Sequence, residues 1–246
     1  MKKYIFYIVA ASIICFNYSC EKNGEININS ADALHKKLET AFQSSSTSNL
    51  EQFFINWNKT ISSNTVQNDF VETIYEVYKE FYSPFDLTKL GDWEWGNSLN
   101  SNSKYAVVQN KIYYAIVEKD VFDTWNNLEE LDSINDFRPT LNLEKSEILY
   151  LLPEYEKALN LFLGTETNDG NWKRYEFIRP YIPILHGHWG GYWHLSTHPE
   201  VSLILLDTSK SVAKILFRVG YQGGETILEK NNNKWIITES RATWIE

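Results

Sequence analysis

Leu50, Phe53, Phe54, Trp57 and Ile61 recur at i, i+3, i+4, i+7 and i+11. Only an α-helix brings that spacing to one side. Upstream, Leu34, Leu38 and Phe42 repeat every fourth residue behind Ser30, which is placed to cap a first helix. The polar run Ser44-Ser45-Ser46-Thr47-Ser48 separates the two, and Ser48 with Glu51 has capping-box spacing. Asn64 and Gln67 offer a second box. Val66, Phe70, Ile74, Val77 and Phe81 then continue the helical period until Pro84. Further on, Pro153 suits a first helical position and Gly164 a stop, which predicts a short helix over 153–163.

Elsewhere the period changes to two. Tyr105 to Val108 and Ile112 to Val117 are β-rich and flank Gln109-Asn110-Lys111, a predicted hairpin. The last third reads as strands at about Gly191 to Ser196, Val201 to Asp207, Val212 to Tyr221, Thr226 to Lys230 and Lys234 to Ile245. Ala213, Ile215, Phe217, Val219 and Tyr221 alternate with Lys214 and Arg218, as in a sheet with one covered face. Helices first and strands later predict an α+β fold, with N-terminal amphipathic helices packed on a C-terminal antiparallel meander. One domain is expected over 30–246: a helical part to about 85, a mixed part over 86–185 and the meander over 186–246. Within the mixed part, 86–103 reads as loop and 119–147 is acidic and ambiguous. The pairs Gly190-Gly191 and Gly223-Gly224 suit bulges or tight sheet bends.

The N-terminus has the form of a leader. Lys2 and Lys3 precede an uncharged, apolar stretch from Tyr4 to Phe16, too short to span a bilayer comfortably. Asn17-Tyr18-Ser19-Cys20 then places a small residue before a cysteine. This resembles the lipobox of bacterial lipoproteins, although Asn17 stands where that motif has an aliphatic residue. The resemblance implies removal of residues 1–19, acylation of Cys20, residues 20–29 as a lipidated tether, and a membrane partner reached through the lipid. Glu21 rather than Asp after the cysteine implies delivery to the outer membrane.

The segment Ala213-Lys214-Ile215-Leu216-Phe217-Arg218, with Gly223-Gly224-Glu225, Leu228-Glu229-Lys230 and Lys234-Trp235-Ile236-Ile237, resembles the terminal hairpins of NTF2-like domains. That likeness covers about 50 residues and implies helices on a curved sheet around a conical cavity. It implies no catalytic residues, because members of that fold share shape rather than chemistry.

Charge narrows the functions. The chain has 32 acidic residues against 23 Lys and Arg, a formal −9. Loss of Lys2 and Lys3 with a leader moves this to −11. Such a balance argues against nucleic acid, whose phosphates need a basic face. Two cysteines exclude a disulfide framework.

Candidate chemistry concentrates in Leu185-His186-Gly187-His188-Trp189-Gly190-Gly191-Tyr192-Trp193-His194, with His198 just beyond. On a strand His186 and His188 would share a side, and His194 or His198 would complete a Zn²⁺ shell with Glu225 as base or further ligand. Structural histidines bonded to backbone are the competing reading, and no named metal motif matches. Tryptophan, tyrosine and phenylalanine make up 15% of the chain. Trp93, Trp95, Trp189, Tyr192 and Trp193 lie in loop-like or glycine-rich contexts suited to a stacking platform, with Arg218 and Glu225 as polar partners. Serine-nucleophile, phosphate-loop and thiol signatures are missing. A carboxylate pair such as Asp92 and Glu94 is of a kind that 32 acids always supply. The sequence therefore reads as a ligand-binding or accessory module for a carbohydrate or small apolar ligand, with binding favoured over catalysis and no cofactor expected. The alternative is a Zn²⁺-assisted hydrolase using His186 and His188.

Overall fold

The computed structural model describes residues 30–59, 68–91, 93, 99, 102–165, 168–187 and 193–245. Cys20 and the tether, Trp95, His188, Trp189, Tyr192, and the pair Asp92 and Glu94 lie outside the described residues, as does the box at Asn64 and Gln67.

Five α-helices form where a cap and an apolar stripe coincide. In α1 (Ala31–Gln43) the Ser30 side chain accepts from the Ala33 N–H, and Leu34, Leu38 and Ala41 are buried. In α2 (Thr47–Asn58) the cap is Ser46, two residues before the sequence-based choice, accepting from Asn49. Asn68 caps α3 (Asp69–Phe81). α4 (Pro153–Leu163) starts at its proline and stops at Gly164, whose φ of +72° puts it in the left-handed region that favours glycine. α5 (Asp169–Ile178) follows, capped by Asn168.

The α2 stripe docks on α4 and on two short strands. Trp57 stacks on Tyr155 at 4.5 Å and 11°, and Phe54 on Tyr181 at 4.8 Å and 6°. The Trp57 indole N–H donates to the Tyr150 carbonyl over 2.8 Å, so the ring is buried without an orphaned donor.

Strands β1 (Tyr105–Gln109) and β4 (Glu147–Leu151) pair in parallel. β2 (Ile112–Val117), β3 (Asp132–Ile134), β7 (Glu200–Asp207), β8 (Val212–Val219), β9 (Gln222–Asn231) and β10 (Lys234–Ile245) make a six-stranded sheet ordered β10-β9-β8-β7-β2-β3. β5 (Leu185–His186) and β6 (Trp193–His194) form a separate antiparallel pair.

Four expectations are corrected. The hairpin over 105–117 does not exist. β1 and β2 belong to different sheets, and Asn110 between them is held by the Asp136–Phe137 loop, with Phe137 N–H donating to its carbonyl. The antiparallel meander is confined to β7 through β10, and the sheet is mixed because β2 joins β7 in parallel. The NTF2-like form is also overturned. The sheet is open, with β10 at one end and β3 at the other, rather than curled into a cone. Finally, β8 is covered on both faces. Ala213, Ile215, Phe217 and Val219 face the main core, while Val212 and Leu216 pack with Phe122 and Leu205 under a 3-10 helix, Lys119–Asn127. Lys214, expected in solvent, is only 4% exposed. Its ammonium meets Glu225 at 2.8 Å and Asp123 at 3.2 Å.

Candidate functional site

The second face of the sheet opens into a cleft of about 660 Å³. It is built where β7, β8, β9 and β10 pass under β6, the start of α4 and the 3-10 helix. From the sheet come Glu200, Ser202, Arg218, Glu225 and Trp244, from above come Glu156, Trp193 and His194, and Trp125 stands at the side. The period of two places Leu216 and Arg218 of β8 on this face.

The glycine pair in β9 shapes the floor. A Cβ on Gly223 would fall inside the Trp244 indole, so that ring lies flat against the bare backbone. The Arg218 guanidinium sits 5.4 Å from its centre. Gly224 faces the other way. A Cβ there would meet Trp93 Cη2 at 2.7 Å, the Arg241 carbonyl oxygen at 2.8 Å and Phe217 Cζ at 2.8 Å. The strand opposite bulges between Ala242 and Trp244, which lets the two tryptophans seat on opposite faces. Gly224→Ala should therefore cost about 1–3 kcal/mol, the overpacking range. Urea unfolding of the variant measures this, and an unchanged midpoint would mean that the seat is loose.

Charge in the cleft is graded. Burial pushes the Glu225 carboxyl up, but hydrogen bonds from Lys214 and Arg241 outweigh it and hold the group below the ordinary range. Glu200 goes the other way. Burial raises it, Arg218 counteracts, and Glu156 adds to the rise. Glu156 is itself raised by burial. One carboxylate is thus firmly ionised while two neighbours hold their protons longer.

Of the described histidines, His194 and His198 lie side by side at 5.7 Å between ring centres, and His186 packs among aromatic rings. His186 packs edge-on against Trp193 at 4.8 Å, beside Trp172 at 5.7 Å. His194 lines the cleft, its Nδ1 3.9 Å from Glu200 Oε2. His198 is buried behind it, with Nδ1 3.2 Å from the Arg218 carbonyl. A carbonyl only accepts, so that nitrogen carries the proton. Burial, then the nearby His194, lowers the His198 pKa to about 3. Among the described residues no group of three or more His, Cys, Asp or Glu side chains is placed to hold a metal. The Zn²⁺-hydrolase alternative thus has no metal centre among the described residues, and His188, half of its pair, lies outside them.

Of the residues singled out in the sequence, Trp193, His194, Arg218 and Glu225 line one cleft. Trp193 serves as wall more than platform: it is buried, stacks on Tyr175 at 5.6 Å and donates to the Gly164 carbonyl over 2.7 Å. Trp93 belongs to the core, edge-on to Phe217 at 5.4 Å. Sequence reasoning missed Trp125, Trp244, Glu156 and Glu200. Only Trp244 had a signal, the glycine pair that makes room for it.

No family model matches the chain, and neither a curated protein nor a solved structure is significantly similar to it. The lipoprotein resemblance at Cys20 therefore does not stand as a family assignment. Among the described residues no helix is long and apolar enough to cross a membrane.

Proposed function

We propose that the cleft binds a small polyhydroxylated ligand of the sugar type. The supporting observation is the convergence of two exposed indoles, Trp125 and Trp244, with Glu156, Glu200 and Arg218 on one cavity. Its volume of about 660 Å³ falls within the usual span of small-molecule sites. The C–H face of a sugar ring stacks on an indole, and its hydroxyls pair with carboxyl and guanidinium groups. Carboxyl oxygens accept from hydroxyls and the guanidinium donates to them, which suits hydroxyl partners of either sense.

Tryptophan fluorescence and titration calorimetry with glucose, galactose, N-acetylglucosamine and their disaccharides test this reading. Saturable binding is expected for at least one, weakened about tenfold in Trp125→Ala, the loss expected from one stacked aromatic. Tyr113→Ala, exposed on β2 away from the cleft, should bind like the parent. Binding of a fatty acid in place of every saccharide would sink the sugar reading.

A further inference from the structure

β10 ends one side of the six-stranded sheet, and among the described residues no backbone group bonds to its outer edge. An open edge of this length is a template for pairing with another chain. Charges at Lys234, Glu239 and Arg241 and two bulges, after Ile237 and after Ala242, blunt it against indiscriminate partners. Yet the same strand exposes Ile236 at 46%, Trp244 at 47% and Ile245 at 65%.

The register with β9 sorts the side chains by face. Ile236, Glu239, Arg241 and Trp244 stand opposite Glu229, Ile227, Glu225 and Gly223, alternate residues and therefore one face. Trp235, Ser240 and Ile245 stand opposite Lys230, Thr226 and Gln222, on the other. Each bulge absorbs one residue, so the two halves of the strand keep their faces in phase.

We propose that β10 pairs antiparallel with β10 of a second copy of this chain, about a two-fold axis through Ser240, joining the two sheets edge to edge. In that register Glu239 faces the partner's Arg241, Ile236 faces the partner's Trp244, and Trp235 faces the partner's Ile245. Every pair falls on a common face, and symmetry makes each occur twice. The register is also selective. A slip by one residue sets side chains of opposite faces against each other. A shift of the axis by one residue either way puts Arg241 opposite the partner's Arg241, or Glu239 opposite the partner's Glu239. Like charges directly opposite destabilise a ladder. The strand is self-complementary in one alignment and repelled in its neighbours.

Light scattering on the full chain, kept in mild detergent because of the apolar run over 4–16, reads the outcome. A protein mass twice that of the 28.8 kDa chain is expected at tens of micromolar. A mass of one chain at 100 micromolar would overturn the proposal. Ile236→Lys and Glu239→Lys change exposed side chains, so the fold should hold, as circular dichroism checks. Each should weaken dimerisation roughly a hundredfold, because each lost pair counts twice. A dimer unaffected by both places the interface elsewhere and also overturns it. The register has its own test. With Cys15 and Cys20 replaced by Ser, Ile236→Cys/Trp244→Cys should form a disulfide-linked dimer on mild oxidation, with the linkage mapped between those positions, while neither single variant should. Failure of the double variant to cross-link while the dimer persists would reject the two-fold axis through Ser240.

Discussion

Trp57→Ala is expected to cost about 3–5 kcal/mol of folding stability, the range for truncating a fully buried aromatic. The ring is wholly enclosed between Phe54 and Tyr155, and its N–H satisfies the Tyr150 carbonyl. Truncation therefore removes the packing that joins α2 to α4 and one of the two donors to the Tyr150 carbonyl, which keeps the Leu152 N–H at 2.8 Å. Trp57→Phe separates the two effects. It keeps most of the apolar volume but not the donor, and should cost about 0.5–1.5 kcal/mol for the lost hydrogen bond. Denaturant unfolding at fixed temperature measures both. Equal losses in the two variants would mean that the hydrogen bond, not the packing, carries this junction. No loss in either would remove Trp57 from the core.

Acid should unfold the protein partly through one imidazole. His198 is neutral in the fold, with a pKa near 3, against an ordinary value of 6.5. Below 6.5 the unfolded chain takes up a proton that the native protein refuses, so stability falls with falling pH until about 3. Over pH 6.5 to 4.5 the loss should be about 2 kcal/mol, since the slope approaches 1.36 kcal/mol per unit only below 6.5. Glu200 and Glu156 act in the opposite sense, since a raised carboxyl gains stability as pH falls through its folded value. Glu225 and Asp207, both held low, lose theirs at lower pH. The His198→Asn variant cancels these shared contributions, because its amide can still donate toward the Arg218 carbonyl. Its stability should stay several-fold flatter between pH 6.5 and 4.5. A parallel decline in both proteins would show that His198 is not the group that titrates.

The parts of the fold legible in the sequence are those written within about a dozen residues. Ser30, the Leu50 to Trp57 stripe, Pro153 with Gly164, and the turns from β7 to β8 and from β9 to β10 each combine a period with a local stop signal. β1 and β2 lacked that. Their two-residue link looks like a hairpin turn, but their partners β4 and β7 lie 42 and 90 residues along the chain. Nothing local records a parallel partner at that distance. Lys214 misled for a related reason. Alternation fixes which residues share a face, but not whether that face is covered, and Phe122 of the 3-10 helix covers it. In the cleft, Arg218 and Glu225 drew notice because they flank the aromatic-rich segments. Glu156 and Glu200 did not, because an acid-rich chain gives no sign of which carboxyls will be enclosed.

The parallel pairing of β2 with β7 also sets a timetable for synthesis. β2 meets the short β3 early, Tyr114 opposite Asp132, but Tyr114 waits for Ile204, 90 residues later, before its other edge is paired. At bacterial-type or slower rates of about 5–20 residues per second, that gap lasts roughly 5–20 s. During it β1 finds β4 and β2 finds only the three-residue β3, which leaves one edge of β2 open. Ribosome-bound β2 is therefore the segment most exposed to holding factors and to neighbouring chains. The arrival of β7, rather than the N-terminal helices, decides when that edge is covered.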